Sequence, residues 1–414
     1  MKVLLSAFAC APNKGSEPGV GWNWAMALAK YNDVIVLTRE ENRREIEDYK
    51  KESPIPFKIE YFGISFFEKN TKIPFQKNLY TMVWQRKVVE FAKELNKKYK
   101  FDICHHITYA SYKYPTELYK LGIPLIVGPV GGGEVTPKSC RIAYSVKYRL
   151  IECIHDLQIK STVHSRNFKA MCKNASMILV TTQETFDCIP VMYKRKMKIM
   201  QTIGISEKEI REERSLREYK NAEKFKVLYV GNLLPLKGVQ LLPKIAQKLN
   251  DKDVLFQIVG AGPEKKRMEQ FVHEHGLEQN FEFVGAVSRN KVLEHMDDAH
   301  LFIFPSFHDS GAMVVLEAMA RELPVLAMNT GGPAVHIQNG RGIVVKPDQP
   351  LEEIVEEFAD DIKLYKEMYC SNKGKIKEII DCAKKYLYSD CVWSNKAETM
   401  QNFYREIVEK SRKI

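Results

Sequence analysis

The amino-acid sequence predicts an α/β chain of two Rossmann-like domains in tandem. Three observations carry that expectation. Short apolar runs alternate with amphipathic runs along both halves of the 414 residues, the pattern of parallel strands covered by helices on both faces. Several apolar runs end in glycine, as tight strand-to-helix turns require. A charged stretch without apolar periodicity, 207–224, separates the two series.

In the first half, strands are expected over 3–8, 34–38, 57–62, 101–105, 124–127 and 177–181. These runs are apolar and too short for helices. Residues 3–9 also mimic a secretion signal, but the run is short and serves as a first buried strand. Helices are expected over 19–31, 77–100 and 163–174. In the second half, strands over 226–231, 254–260, 281–285, 301–305, 324–328 and 342–345 alternate with helices over 239–250, 264–275, 291–297, 313–321 and from 351 onward. Residues 395–410 have helical apolar spacing and no strand after them, so they are expected to pack back across the boundary. The expected domains are 1–205, 206–390 and a returning helix over 391–414.

Composition narrows the function. With 45% apolar residues the chain is neither disordered nor collagen-like. No run approaches the ~20 apolar residues of a membrane span. Nine cysteines without a C-x-x-C pair fit reduced thiols and a cytoplasmic setting. The net charge of +11 is uneven: residues 1–200 hold 32 basic against 19 acidic groups, residues 201–414 hold 31 against 33. The basic residues are scattered and no nucleic-acid motif accompanies them, so nucleic acid is not an expected partner. Segment 51–100 carries 11 basic and five acidic residues with Phe66, Phe67, Phe75, Tyr80 and Trp84 among them. That mixture predicts peripheral contact with an anionic membrane.

The stretch Asp309-Ser310-Gly311-Ala312-Met313 follows the strand over 301–305 and opens a helix. In a doubly wound sheet, such a junction is where phosphates bind. Ser310, Gly311 and Ala312 would offer unpaired backbone N–H groups, and Asp309 and Glu317 would offer two acceptors at separate heights. A capping Asp309 and a solvated Glu317 account for the same residues. Gly231 to Gly238 forms another strand-to-helix junction, in which Lys237 could neutralise a diphosphate. Gly260, Gly285 and the pair Gly331-Gly332 end further strands at the same edge.

The string from Phe304 to Ala320, with Asp309 and Glu317 eight apart, resembles the E-x7-E signature of the retaining GT-B glycosyltransferases of family 4. Gly231 to Gly238 is similar to that family's G-R-L-x-P-x-K-G motif. The loop from Ala9 to Trp22 and the stretch Gly128 to Glu134 resemble a bacterial branch of it. The resemblance implies a GT-B fold, its two domains facing a central cleft, a nucleotide-sugar donor (UDP- or GDP-linked) and a glycan acceptor, lipid-linked in view of the basic first domain. It implies that Gly15, Ser16, Glu17 and Gly19 face the donor diphosphate, that Asp309 holds the donor sugar and that Glu317 holds the ribose. Ser310, Gly311, Ala312 and Lys237 would hold the diphosphate, with Asn232, Gly260 and Gly285 also lining the donor site. A histidine after the fourth strand would stand near the reaction centre, and His106 is favoured over His105. Alternation along the strand lets only one of them face the cleft. Three departures stand out: Asp309 replaces Glu, Asn232 replaces a diphosphate-binding Arg, and Val335 or His336 stands where the family often has Glu.

Such a site needs no cofactor and no metal if the diphosphate leaves first and its own oxygen takes the acceptor proton. No Asp-x-Asp pair sits in a suitable loop, and His273-x-His275 would be solvent-exposed. Among rivals, a dinucleotide-dependent enzyme is disfavoured because Gly15-x-x-x-Gly19-x-Gly21 is not the G-x-G-x-x-G spacing. A nucleotide-sugar epimerase or a phosphorylase would share the fold and differ in substrate.

Overall fold

The computed structural model describes residues 1–64, 74–211 and 224–413. The chain divides into two compact units. The first comprises Met1–Gly133, Leu157–Gly204 and the terminal segment from Trp393. The second comprises Glu134–Asp156 and Ile205–Val392. Residues 134–156, expected in the first domain, therefore belong to the second.

The first unit is built on a parallel sheet with β1 (Lys2–Ala7), β2 (Asp33–Arg39), β3 (Lys58–Phe62), β4 (Ile103–Thr108), β5 (Leu125–Val130), β6 (Met177–Val180) and β7 (Met197–Ile199), ordered β3-β2-β1-β4-β5-β6-β7. Strand β7 was not expected. Its sequence is Met-Lys-Ile and two of its three residues are exposed, so it carries almost no apolar signal. Helix Pro74–Tyr99 shares a buried core with this sheet, its Tyr80, Trp84, Val88 and Ala92 clustering with Leu4 and Ile35. Tyr80 and Trp84 on that helix are fully buried, their rings 5.7 and 5.2 Å from that of Phe8. Burial of a large apolar side chain contributes about 1.5–3 kcal/mol, so these two aromatics are core residues and do not serve a membrane surface as expected. Phe66, Phe67 and the Phe75 side chain lie outside the described residues.

The helix Trp393–Arg412 belongs to this unit. Trp393 packs edge-on against Trp24 at 5.6 Å, and the buried Lys396 donates to the Gln201 carbonyl at 2.6 Å. Tyr404 Oη lies 2.7 Å from His105 Nδ1.

The second unit has β8 (Phe225–Val230), β9 (Val254–Val259), β10 (Phe281–Gly285), β11 (Leu301–Phe304), β12 (Val325–Met328) and β13 (Ile343–Val345), all parallel and ordered β10-β9-β8-β11-β12-β13. Consecutive strands run outward from β8 in one direction and from β11 in the other. The β8/β11 boundary is thus where the winding reverses, and ligands of doubly wound sheets bind beyond the strand ends at such points. In the first unit the same boundary lies between β1 and β4.

Candidate functional site

The loops leaving β8 and β11 meet at the reversal point of the second unit. Lys237, in the turn after β8, forms an ion pair with Asp309 in the turn after β11. Both side chains are about four-fifths buried, at 19% and 18% exposure. The other carboxylate oxygen of Asp309, Oδ1, accepts from the backbone N–H groups of Gly311 (3.1 Å) and Ala312 (3.0 Å). Burial alone would raise the Asp309 pKa. The Lys237 ammonium and the two amides outweigh it and hold the carboxyl below the usual range.

This arrangement corrects the expectation that Gly311 and Ala312 present unpaired amides. Asp309 folds back on its own turn and takes both, as short acidic side chains do when the next backbone amides lie within reach. Ala312 sits at φ 53° just before helix Met313–Ala320. Lys237 likewise is already engaged by Asp309.

The loop is braced from beneath. Gly332 N–H donates to the Asp309 carbonyl at 2.7 Å, and a Cβ on Gly331 would stand only 2.2 Å from that oxygen. His336, fully buried, has Nε2 2.9 Å from the Gly311 carbonyl and Nδ1 3.1 Å from Tyr386 Oη. Gly238 has φ 67°, and a Cβ there would lie 1.9 Å from the Pro305 carbonyl. Only glycine lets the β8 and β11 turns approach this closely.

Glu317 lies on helix Met313–Ala320, which the turn after β11 opens, and is not a solvated surface residue. It pairs with Arg289 at 2.9 Å and is 16% exposed. Arg289 opens helix Arg289–Asp298 and also pairs with Glu209, so one guanidinium links two carboxylates. Burial raises the Glu317 pKa, and Arg289 offsets only part of that rise. Sequence reasoning missed both Arg289 and Glu209.

The remaining donor candidates of this unit are backbone features. Gly260 N–H donates to the Gly285 carbonyl at 2.8 Å, and a Cβ on Gly260 would stand 1.9 Å from the Gly231 carbonyl. Close packing of neighbouring turns accounts for glycine at 260. Asn232 is exposed, and its carbonyl accepts from Leu234 N–H at 2.9 Å.

In the first unit, Gly15 precedes helix Ser16–Leu28, and Ser16 has φ 56°. Glu17 accepts from Tyr109 N–H at 2.9 Å, and Ala9 N–H donates to Thr108 Oγ1 at 2.9 Å. The β1 and β4 loops are thereby joined at that unit's reversal point. Gly19 is required by the Lys14 carbonyl, 2.0 Å from a Cβ placed there. His105 and His106 point to opposite faces of β4, as alternation demands, yet both are buried. His105 Nε2 lies 2.8 Å from the Gly128 carbonyl. His106 Nδ1 lies 3.2 Å from Ser6 Oγ, and its Nε2 lies 3.3 Å from Gln85 Nε2. Burial pushes His105 down to about 4 and, with His105 beside it, His106 down to about 3. Both rings are buried within their own unit, and His106, the one favoured for the reaction centre, lies against Ser6 and Gln85.

Segment 134–156 lies against the β11 turn. Tyr144 stacks edge-on with Phe307 at 5.7 Å, and the ring of His155 is 5.2 Å from that of His308. A separate hollow of about 700 Å³, lined by Lys244, Phe271, His275 and Val355 among others, contains none of the donor candidates.

Comparison with known proteins bears on this geometry. Residues 211–375, which include Lys237, Arg289, Asp309 and Glu317, match the family Glycosyl transferases group 1. The chain is 29% identical over 133 residues to 2-deoxystreptamine N-acetyl-D-glucosaminyltransferase of Niallia circulans, covering 32% of this chain and 34% of that protein. It spans between 34% and 45% of the length of the first five curated relatives it matches. Among solved structures, Anabaena HepE in complex with UDP superposes with a TM-score of 0.59 at 17% identity, covering 97% of this chain and 99% of the other. Sucrose-phosphate synthase of Thermosynechococcus elongatus gives 0.63 at 18%, covering 99% of each. The chain therefore has the GT-B fold of two Rossmann-like units, and its second unit contains the segment that matches the glycosyl transferases group 1 family.

Proposed function

We propose that the protein is a retaining glycosyltransferase that moves a sugar from a UDP- or GDP-linked donor to a glycan acceptor, without a metal in the transfer step. The observation that carries this reading is the Asp309 carboxylate, fixed by Lys237 and two amides at the reversal point of a matched glycosyltransferase domain. Asp309 Oδ2, which meets only Lys237, keeps lone-pair capacity for a donor-sugar hydroxyl, and the Lys237 ammonium has further N–H donors for the diphosphate. Glu317, held upright by Arg289, takes the ribose hydroxyls. The chemistry asked of the protein is positioning and stabilisation of charge on the leaving diphosphate. Asp309 carries the catalytic role in this proposal, and the buried His106 acts only through the fold of the first unit.

The acceptor is lipid-linked, and the protein rests on an anionic membrane surface. Exposed apolar side chains support this: Val146, Leu150, Ile151 and Ile154 lie 45–81% exposed on helix Val146–Val163, with exposed Lys147 and Arg149 beside them. Among the described residues no helix is long and apolar enough to cross a membrane.

Incubation with a panel of UDP- and GDP-sugars and a lipid-diphosphate-linked acceptor in EDTA tests the reading. Transfer with the donor's anomeric configuration preserved is expected. Inverted product would remove the retaining mechanism, and activity that returns only with Mg²⁺ or Mn²⁺ would remove metal independence.

A further inference from the structure

We propose that Glu152, His155 and His308 form a binding site for a divalent transition cation of the Zn²⁺ class, separate from the donor residues. Glu152 and His155 are three apart on helix Val146–Val163 and so share a face. That face is the buried one, opposite the exposed Val146, Leu150 and Ile154. His308 arrives from the turn after β11. One ligand atom from each residue lies within 4.8 Å of the others. Tetrahedral zinc holds its ligand atoms about 3.3 Å apart, a distance reached by small side-chain rotations.

Two polar atoms of this cluster lack a hydrogen bond. Glu152 Oε2 and His308 Nδ1 are buried and have no hydrogen-bond partner. A buried carboxylate oxygen and a buried ring nitrogen without hydrogen bonds are costly, and a coordinated cation supplies the missing partner. Two imidazoles and one carboxylate are the ligand set of borderline metals; Mg²⁺ favours oxygen ligands and keeps its waters. Three protein ligands leave a fourth position for water.

The frame around the cluster is built. Arg141 pairs with Asp156 at 2.7 Å and donates to the Thr136 carbonyl at 3.0 Å, fixing the helix by its own segment. Tyr144 on Phe307 holds that segment to the turn. A cation bound here ties helix Val146–Val163 to the residue preceding Asp309. It acts as a clamp and takes no part in the transfer step.

The test is calorimetric titration of metal-stripped, full-length protein with Zn²⁺, repeated with Mg²⁺, alongside Co²⁺ absorption. One equivalent of Zn²⁺ is expected to bind and to raise Tm, with Mg²⁺ failing to compete. Glu152→Gln and His308→Gln should each weaken binding at least tenfold, while Cys153→Ser and His273→Ala, both at exposed positions, leave it unchanged. Circular dichroism checks that the variants fold. If they do not, the wild-type Co²⁺ spectrum decides: nitrogen and oxygen ligation supports the site, and a thiolate charge-transfer band overturns it. Absence of stoichiometric binding, or undiminished binding in both variants, also overturns it. These readouts do not depend on turnover, so the zinc site and the glycosyltransferase reading can fail separately.

Discussion

Lys237 and Asp309 close an ion pair between the turns after β8 and β11, across the one place in the second unit where strand order reverses. The pair fixes both turns and leaves about a fifth of each side chain open to solvent. Replacing Asp309 by Asn removes the negative partner while keeping the shape. Turnover is expected to fall by about 10² or more, as when a preorganised charged contact is lost from a transfer site. Steady-state kinetics with the active donor checks this, and Asp309→Asn with wild-type turnover would move the catalytic role elsewhere.

Glu317 tests nucleotide binding as distinct from turnover. A ribose contact exists in ground and transition states alike, so Glu317→Ala should raise nucleotide Kd roughly tenfold or more, the worth of charge-assisted hydrogen bonds. Arg289→Ala should give part of the same loss, because Glu317 then has no guanidinium to orient it. Unchanged Kd in Arg289→Ala would show that Glu317 needs no orienting partner.

Much of this was legible in the sequence because it is local. Asp309 and Glu317 lie on one strand-turn-helix segment, and their spacing alone places them in the turn and on the helix. Arg289 and Glu209 were not legible, since each comes from a different segment and meets Glu317 only through packing. Helix Val146–Val163 was missed for another reason: it is apolar on the exposed side and carries Glu152 on the buried one, the reverse of the usual amphipathic pattern. The same inversion concealed the membership of 134–156 in the second unit. Tyr80 and Trp84 sit among basic residues in sequence yet fill the core in space.

The buried histidines make the first unit acid-sensitive. His105 and His106 stay neutral in the folded chain down to about pH 4 and 3, whereas unfolded histidine titrates near pH 6.5. Both folded pKa values are depressed, so the unfolded state binds more protons between these limits. Their stabilisation is complete above pH 6.5 and is lost as pH falls towards 4 and then 3, at most about 1.4 kcal/mol per pH unit for each ring. His106→Ala should flatten the slope and lower Tm, leaving nucleotide Kd unchanged. Calorimetric Tm across pH 4–7 checks it. A variant with wild-type Tm and abolished turnover would instead put His106 at the reacting atoms.

Asn232 is exposed beside the Lys237 turn. Asn232→Arg should be tolerated and should tighten UDP or GDP binding, since a guanidinium adds a bidentate donor for the diphosphate. Weaker binding in the variant would assign Asn232 a role of its own.

The proposed membrane contact is open to a direct check. Sedimentation with phosphatidylglycerol vesicles at low salt should carry the protein down, and replacing Leu150 and Ile154 by Ser should release it, with neutral vesicles recovering little in either case. Equal recovery with neutral and anionic vesicles would remove the membrane from the account.

The central claim is that the second unit binds a nucleotide-sugar at Lys237, Asp309 and Glu317. Calorimetric titration of the wild-type protein and of Glu317→Ala with UDP and with GDP, both in EDTA, tests it most directly. The account predicts one-to-one binding of one of the two nucleotides to the wild type, weakened roughly tenfold or more in the variant. Binding of neither nucleotide, or equal affinity in both proteins, would contradict it.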